Sequence, residues 1–142
     1  MQIYKEYPKK QFLVELRTYQ TVHGNWEYAT INDGQFKDED MLMIGTLESY
    51  EQTKRYFKSK EYEVVPIYIE VEDGERLIRA IKREKEQKGH DYKELCRRFL
   101  ADAEDFSEQK IVEKGINRKF VNNDLESCVK EIEDFIKEQQ EN

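Results

Sequence analysis

The chain has 142 residues, of which 37% are apolar and 39% charged, with a net charge of −7. That length supports one domain around one hydrophobic core. No apolar stretch approaches the roughly 20 residues of a membrane-spanning helix, and Met1-Gln2-Ile3-Tyr4-Lys5-Glu6 holds no apolar signal core, so a soluble cytoplasmic protein with no membrane partner is expected.

The charge is uneven: residues 1–75 are net −6, residues 76–98 net +5 and residues 99–142 net −6. An acidic chain with one basic island lacks the broad basic surface that binds duplex DNA. Such an island suits a small phosphorylated ligand, or it is a solvated helix face. Cys96 and Cys128 lie far apart in helix-like patterns, and His23 and His90 are isolated. Buried free thiols and no metal site are expected.

In chain order, residues 11–19 and 26–31 read as strands, joined by Thr21-Val22-His23-Gly24-Asn25 and closed by Asn32-Asp33-Gly34. Aromatic residues alternate with polar ones, which predicts a largely exposed antiparallel sheet. The unbroken apolar runs at 41–45 and 64–71 predict strands buried on both faces, as in a parallel sheet. Residues 48–57 between them read as a helix, and this order implies an α/β fold. Three more helices are expected over 73–87, 91–106 and 123–138. Asp91 with Glu94, and Asn123 with Glu126, have capping-box spacing. Leu95, Cys96, Phe99, Leu100, Ala103 and Phe106 form the apolar stripe of the second of these. Lys119-Phe120-Val121 reads as a short last strand.

Five arginines, Arg76, Arg79, Arg83, Arg97 and Arg98, lie on two consecutive helices joined by Gln87-Lys88-Gly89-His90. Guanidinium groups match phosphate oxygens bidentately and keep their charge. Two such helices on a glycine-containing hinge could close over a phosphate; the residues alone favour the bland reading, a pair of solvated amphipathic helices.

Four segments, in order, resemble motifs of the guanylate kinase family. Phe12-Leu13-Val14-Glu15 resembles its Phe-Ile-Glu strand, and Tyr28-Ala29-Thr30 its Tyr-Gly-Ser. The segment from Arg97 to Glu104 resembles its lid motif, and Val121-Asn122-Asn123-Asp124-Leu125-Glu126 the opening of its last helix. The resemblance spans nearly the whole chain. It implies a single domain over 1–142: an acceptor-nucleotide part at 11–35, core strands at 41–72, lid-type helices at 73–106, and a last strand and helix at 119–138. The implied fold is part of a P-loop kinase-type parallel sheet flanked by helices, with a small antiparallel sheet for the nucleoside monophosphate near the N-terminus.

By the same resemblance, Glu15 accepts hydrogen bonds from the guanine ring, Tyr28 contacts the acceptor phosphate and Thr30 the base. Arg97 and Arg83, with Arg79 as the alternative to Arg83, act on the transferring phosphate. The implied activity is transfer of phosphate from ATP, with Mg²⁺, to GMP. The implied alternative is a non-catalytic module that binds a phosphorylated partner or nucleotide.

Two departures matter. Where the family has Asp-x-Gln-Gly, this chain has Gly45-Thr46-Leu47-Glu48, and Glu48 is the nearby carboxylate. No Gly-x-x-x-x-Gly-Lys-Ser/Thr occurs in the 142 residues. The expectation is a chain that starts after that loop, is inactive alone and is prone to self-association through exposed sheet edges.

Overall fold

The computed structural model describes residues 12–21, 24–36, 39–60 and 62–141. They form a mixed α/β fold of small sheets and several helices, divided into two compact units that meet in sequence between Val65 and Pro66.

The first unit is a β-hairpin and a helix. Strands β1 (Leu13–Thr21) and β2 (Gly24–Ile31) pair antiparallel, with Glu15 opposite Thr30, Arg17 opposite Tyr28 and Tyr19 opposite Trp26. Between the Leu13–Ile31 and Glu15–Thr30 pairs β1 holds one extra residue, a bulge at Val14. Val14 and Glu15 are consequently both buried, where strict alternation would expose one of them. Most of β2 is exposed, as the alternating aromatic pattern predicts.

Helix α1 (Leu47–Phe57) opens with a reciprocal capping box between Thr46 and Ser49. It contributes Leu47, Thr53 and Phe57 to the core. Phe57 gathers the rings of Phe36, Tyr56 and Tyr62 edge-on at 5.0–5.3 Å, an arrangement that suits the aromatic quadrupole. The strand expected at 41–45 does not form. Residues 41–46 have no regular secondary structure, and Leu42 and Ile44 are 81% and 102% exposed. An apolar run becomes an inner strand only where both faces are covered, and among the described residues nothing covers this one.

In the second unit, β3 (Tyr68–Glu70) and β4 (Lys119–Val121) pair parallel. Three helices lie between them in sequence: α2 (Asp73–Glu86), α3 (Tyr92–Asp105) and α4 (Glu108–Glu113). Helix α5 (Leu125–Gln140) follows β4. Strand β3 is shorter than the apolar run at 64–71, and α4 falls where no element was expected.

Helix α4 ends in a Schellman motif. Gly115 has φ 73°, Ile116 N–H donates to Ile111 O at 3.2 Å, and Gly115 N–H donates to Val112 O at 2.9 Å. Ile111 and Ile116, the apolar pair that closes this motif, are both buried, as are Phe120 and Leu95. Phe120 is fully buried and meets Phe135 of α5 at 5.4 Å, while Arg118 lies over both rings.

Asp91 caps α3 by accepting from Glu94 N–H, as its spacing predicts. The cap of α5 is Asp124, which accepts from Ser127 N–H, and not Asn123. Cys128 is buried, but Cys96 is exposed, and Leu100 of the expected α3 stripe is 69% exposed. The buried side of α3 is centred on Leu95 and on Phe99, which is covered by the Arg76 guanidinium at 4.2 Å. The stem and cation of Arg76 supply the cover for that ring.

Candidate functional site

Strand alternation places Glu15, Arg17 and Tyr19 on one face of β1, with Thr30, Tyr28 and Trp26 opposite them on β2. Glu15 is only 3% exposed. A carboxylate so buried must be neutralised and hydrogen-bonded, and this one is. Thr30 Oγ1 donates to Glu15 Oε1 at 2.8 Å, and Arg17 Nε donates to Oε2 at 2.8 Å, with Nη2 3.4 Å from Oε1. Arg17 Nη1 is 3.4 Å from the Tyr19 hydroxyl. Tyr19 and Tyr28 meet edge-to-face at 5.7 Å, and the Arg17 guanidinium carbon is 5.9 Å from the Tyr28 ring centre. Burial works against the Arg17 charge, but the hydrogen bonds to Glu15 and Tyr19 outweigh it and raise its pKa above the usual arginine value.

Three of the expected site residues, Glu15, Tyr28 and Thr30, are therefore gathered on one hairpin face. Glu15 is no ordinary surface carboxylate. Arg17 and Tyr19 belong to the same cluster and were missed, although their i, i+2 spacing from Glu15 marks them as same-face neighbours on a strand.

The opposite edge of β1 is held by α1. Leu16 N–H donates to Gln52 Oε1 at 3.0 Å, and Gln52 Nε2 donates to Leu16 O at 2.9 Å. The same Nε2 is 3.3 Å from Glu48 Oε1, so Glu48 sits in the first turn of α1 supporting this contact. A cleft of about 780 Å³ is lined by Phe12, Ile31, Asn32, Asp33, Gly34, Tyr56 and Lys60. None of the expected site residues lines it.

The remaining expected residues, Arg83 and Arg97, belong to the second unit. Several arginines of the basic island form ion pairs on their own helices. Arg76 pairs with Asp73 at 3.1 Å, Arg79 with Glu75 at 2.7 Å, and Arg97 with Glu94 through Nε at 2.8 Å and Nη2 at 2.6 Å. The Glu94 hydrogen bonds raise the Arg97 pKa further above its ordinary value. Arg83 is exposed and forms no ion pair among the described residues.

The turn between α2 and α3 is bound together by Glu84, which is 6% exposed. Its Oε1 accepts from Asp91 N–H at 2.7 Å, and Arg98 Nη2 lies 3.8 Å from its Oε2. His90 Nδ1 is 2.6 Å from the Glu84 carbonyl oxygen, so this nitrogen is the protonated one. Three contacts thus tie this turn to Glu84. The sequence, by contrast, suggests a free closing joint from Gly89 alone.

The described residues contain no cluster of three or more His, Cys, Asp or Glu side chains suited to a metal ion; His23 lies outside them. None of their helices is long and apolar enough to cross a membrane. Compared with protein-family models, with curated proteins and with solved structures, the chain matches none.

Proposed function

We propose that this chain is a guanylate kinase-like protein that binds GMP, or a closely related guanine nucleotide, on the β1–β2 face. The observation that carries the reading is the buried Glu15 carboxylate, hydrogen-bonded by Thr30 and set beside Tyr28. A buried acceptor pair discriminates between bases, because a wrong base leaves an oxygen unpaired at a cost of roughly 1–3 kcal/mol. Within this proposal the finer fold is the P-loop kinase type, to which the parallel β3–β4 pair contributes. Arg83 and Arg97 lie in the second unit and take no part in this binding reading; Arg97 is engaged by Glu94.

The residues present do not fit a magnesium–ATP site. No Gly-x-x-x-x-Gly-Lys-Ser/Thr occurs in the sequence, and the described residues bring no three metal ligands together. The expected behaviour of this 142-residue chain is therefore binding without turnover. The missing motif equally favours a second reading, a non-catalytic module that takes a phosphorylated peptide in place of the nucleotide.

Titration of the ¹⁵N-labelled chain with GMP, AMP and a phosphoserine peptide separates these readings. GMP is expected to shift the amides of Glu15, Tyr28 and Thr30, with AMP weaker and Glu15→Gln abolishing the preference. Equal responses to GMP and AMP, unchanged in Glu15→Gln, defeat the guanine reading. A response to the phosphopeptide alone favours the module.

A further inference from the structure

We infer that Arg17 is an internal competitor for the ligand of Glu15: its guanidinium fork occupies the carboxylate that a planar ligand with two adjacent N–H donors would otherwise engage. This deepens the guanine-nucleotide reading and rests on Glu15 being its recognition group, but the geometry defines the ligand class by itself.

Both Glu15 oxygens are in use. Oε2 takes Arg17 Nε–H at 2.8 Å, and Oε1 takes Thr30 Oγ1–H at 2.8 Å and lies 3.4 Å from Arg17 Nη2. The Nε–Nη2 edge of the guanidinium presents two parallel N–H bonds to a carboxylate. A ligand keeps both contacts only by presenting the same pattern. The guanine edge with its ring N–H and exocyclic amino group does so. Adenine offers one donor next to an acceptor, which sets a lone pair against the carboxylate. Free guanidinium and its alkyl derivatives also match.

The exchange requires the Arg17 side chain to leave the carboxylate. Arg17 and Glu15 are two residues apart on the same strand face, and Arg17, whose side chain is 17% exposed against 3% for Glu15, is the partner nearer to solvent by that measure. Rotation about the Arg17 side-chain torsions vacates the carboxylate, while Thr30 continues to hold Oε1. Arg17 thus sets the affinity threshold: every ligand of Glu15 must outcompete a charged hydrogen-bond pair that is already made.

The test uses the full chain, Arg17→Met, and the double variant Glu15→Gln/Arg17→Met, with the Thr30 amide shift as the readout. Methylguanidinium at millimolar concentration is expected to give saturable shifts in Arg17→Met and none in the wild type or the double variant. GMP is expected to bind Arg17→Met roughly tenfold or more tightly than wild type, the factor that one charge-assisted hydrogen bond represents, with AMP unchanged. A structural role for Arg17 predicts the opposite sign. If Arg17→Met does not melt cooperatively, Arg17→Lys replaces it, because one ammonium lacks the fork; the same gain with a smaller factor is expected. The inference is overturned if methylguanidinium leaves the variant unmoved, or if GMP binds wild type at least as tightly as the variant. If methylguanidinium binds the variant and GMP binds neither protein, the inference stands and the guanine-nucleotide reading falls.

Discussion

Replacing Glu84 isolates the contact that joins α2 to α3. Its carboxylate accepts from Asp91 N–H at 2.7 Å, and this donor, at the N-cap of α3, has no place in the helix ladder. A hydrogen bond to a charged acceptor contributes about 1.5–3 kcal/mol. The Arg98 contact is long, at 3.8 Å, and Arg98 is 59% exposed, so it adds within about 0–1 kcal/mol. Part of the sum is offset because removing the carboxylate also removes the cost of burying it. Glu84→Ala is therefore expected to destabilise by about 2 kcal/mol, and Glu84→Gln, which keeps the Oε1 acceptor, by less than about 1 kcal/mol. Urea unfolding of both variants measures the difference, read as a shift of midpoint at constant slope. Amide exchange at Asp91 localises it, with faster exchange in Glu84→Ala than in Glu84→Gln. Equal losses in the two variants, or an Asp91 amide unaffected by Glu84→Ala, would show that the buried carboxylate does not hold the turn.

Phe120→Ala empties the centre of the second unit and is expected to cost about 3–5 kcal/mol, a large part of a typical domain stability of about 5–15 kcal/mol; denaturant unfolding checks it, and a loss below about 1 kcal/mol contradicts the observed burial. Gln52→Ala leaves Leu16 N–H and C=O without their side-chain partner, so exchange of the Leu16 amide should accelerate while Arg17, which faces β2, changes less. The caps Glu72 and Asp124 are held below the ordinary carboxylate range, Glu72 by the backbone N–H groups of Gly74 and Glu75 and Asp124 by the N–H and hydroxyl of Ser127. Because these folded values are depressed, the stabilisation is complete above the unfolded carboxylate pKa of about 4. It is lost as pH falls through the lower folded values. Helicity and amide protection at Gly74, Glu75 and Ser127 should be flat from pH 8 to 5 and decline only in acid, whereas a decline already near pH 6 assigns the effect to another group.

The parts of this fold that were legible in the sequence are those encoded locally. The hairpin follows from alternation and turn residues, and α1, α2 and α3 from periodicity, with Asp91 readable as a cap from its spacing to Glu94; the caps Thr46 and Glu72 were not read. Misreadings arose where tertiary context decides. An apolar run such as 41–44 carries no period that distinguishes an inner strand from uncovered chain, and its exposure depends on what lies over it. Helix α4 is too short for a periodic pattern, though Lys114-Gly115-Ile116 carries its stop signal. At the candidate site, Glu15, Tyr28 and Thr30 were singled out by resemblance, and their proximity follows from the register of one hairpin. The ion pairs that engage Arg97 and Arg79 are i, i+3 and i, i+4 neighbours and were readable from spacing alone. The role of Glu84 was not, since it bridges two helices across seven residues.

Gln52 gives the hairpin a property that neither strand has. Its primary amide carries a donor and an acceptor at about the spacing of a peptide group, and it meets both backbone groups of Leu16. For that one residue α1 acts as a third strand. An open strand edge is a template for another chain, and here the template is filled from within at its mid-length. A helix side chain thus blocks the β1 edge of the sheet, which would otherwise be free to grow. A one-residue slip of β1 would offer Gln52 the groups that face β2, so the same amide also fixes the register and, with it, which face carries Glu15.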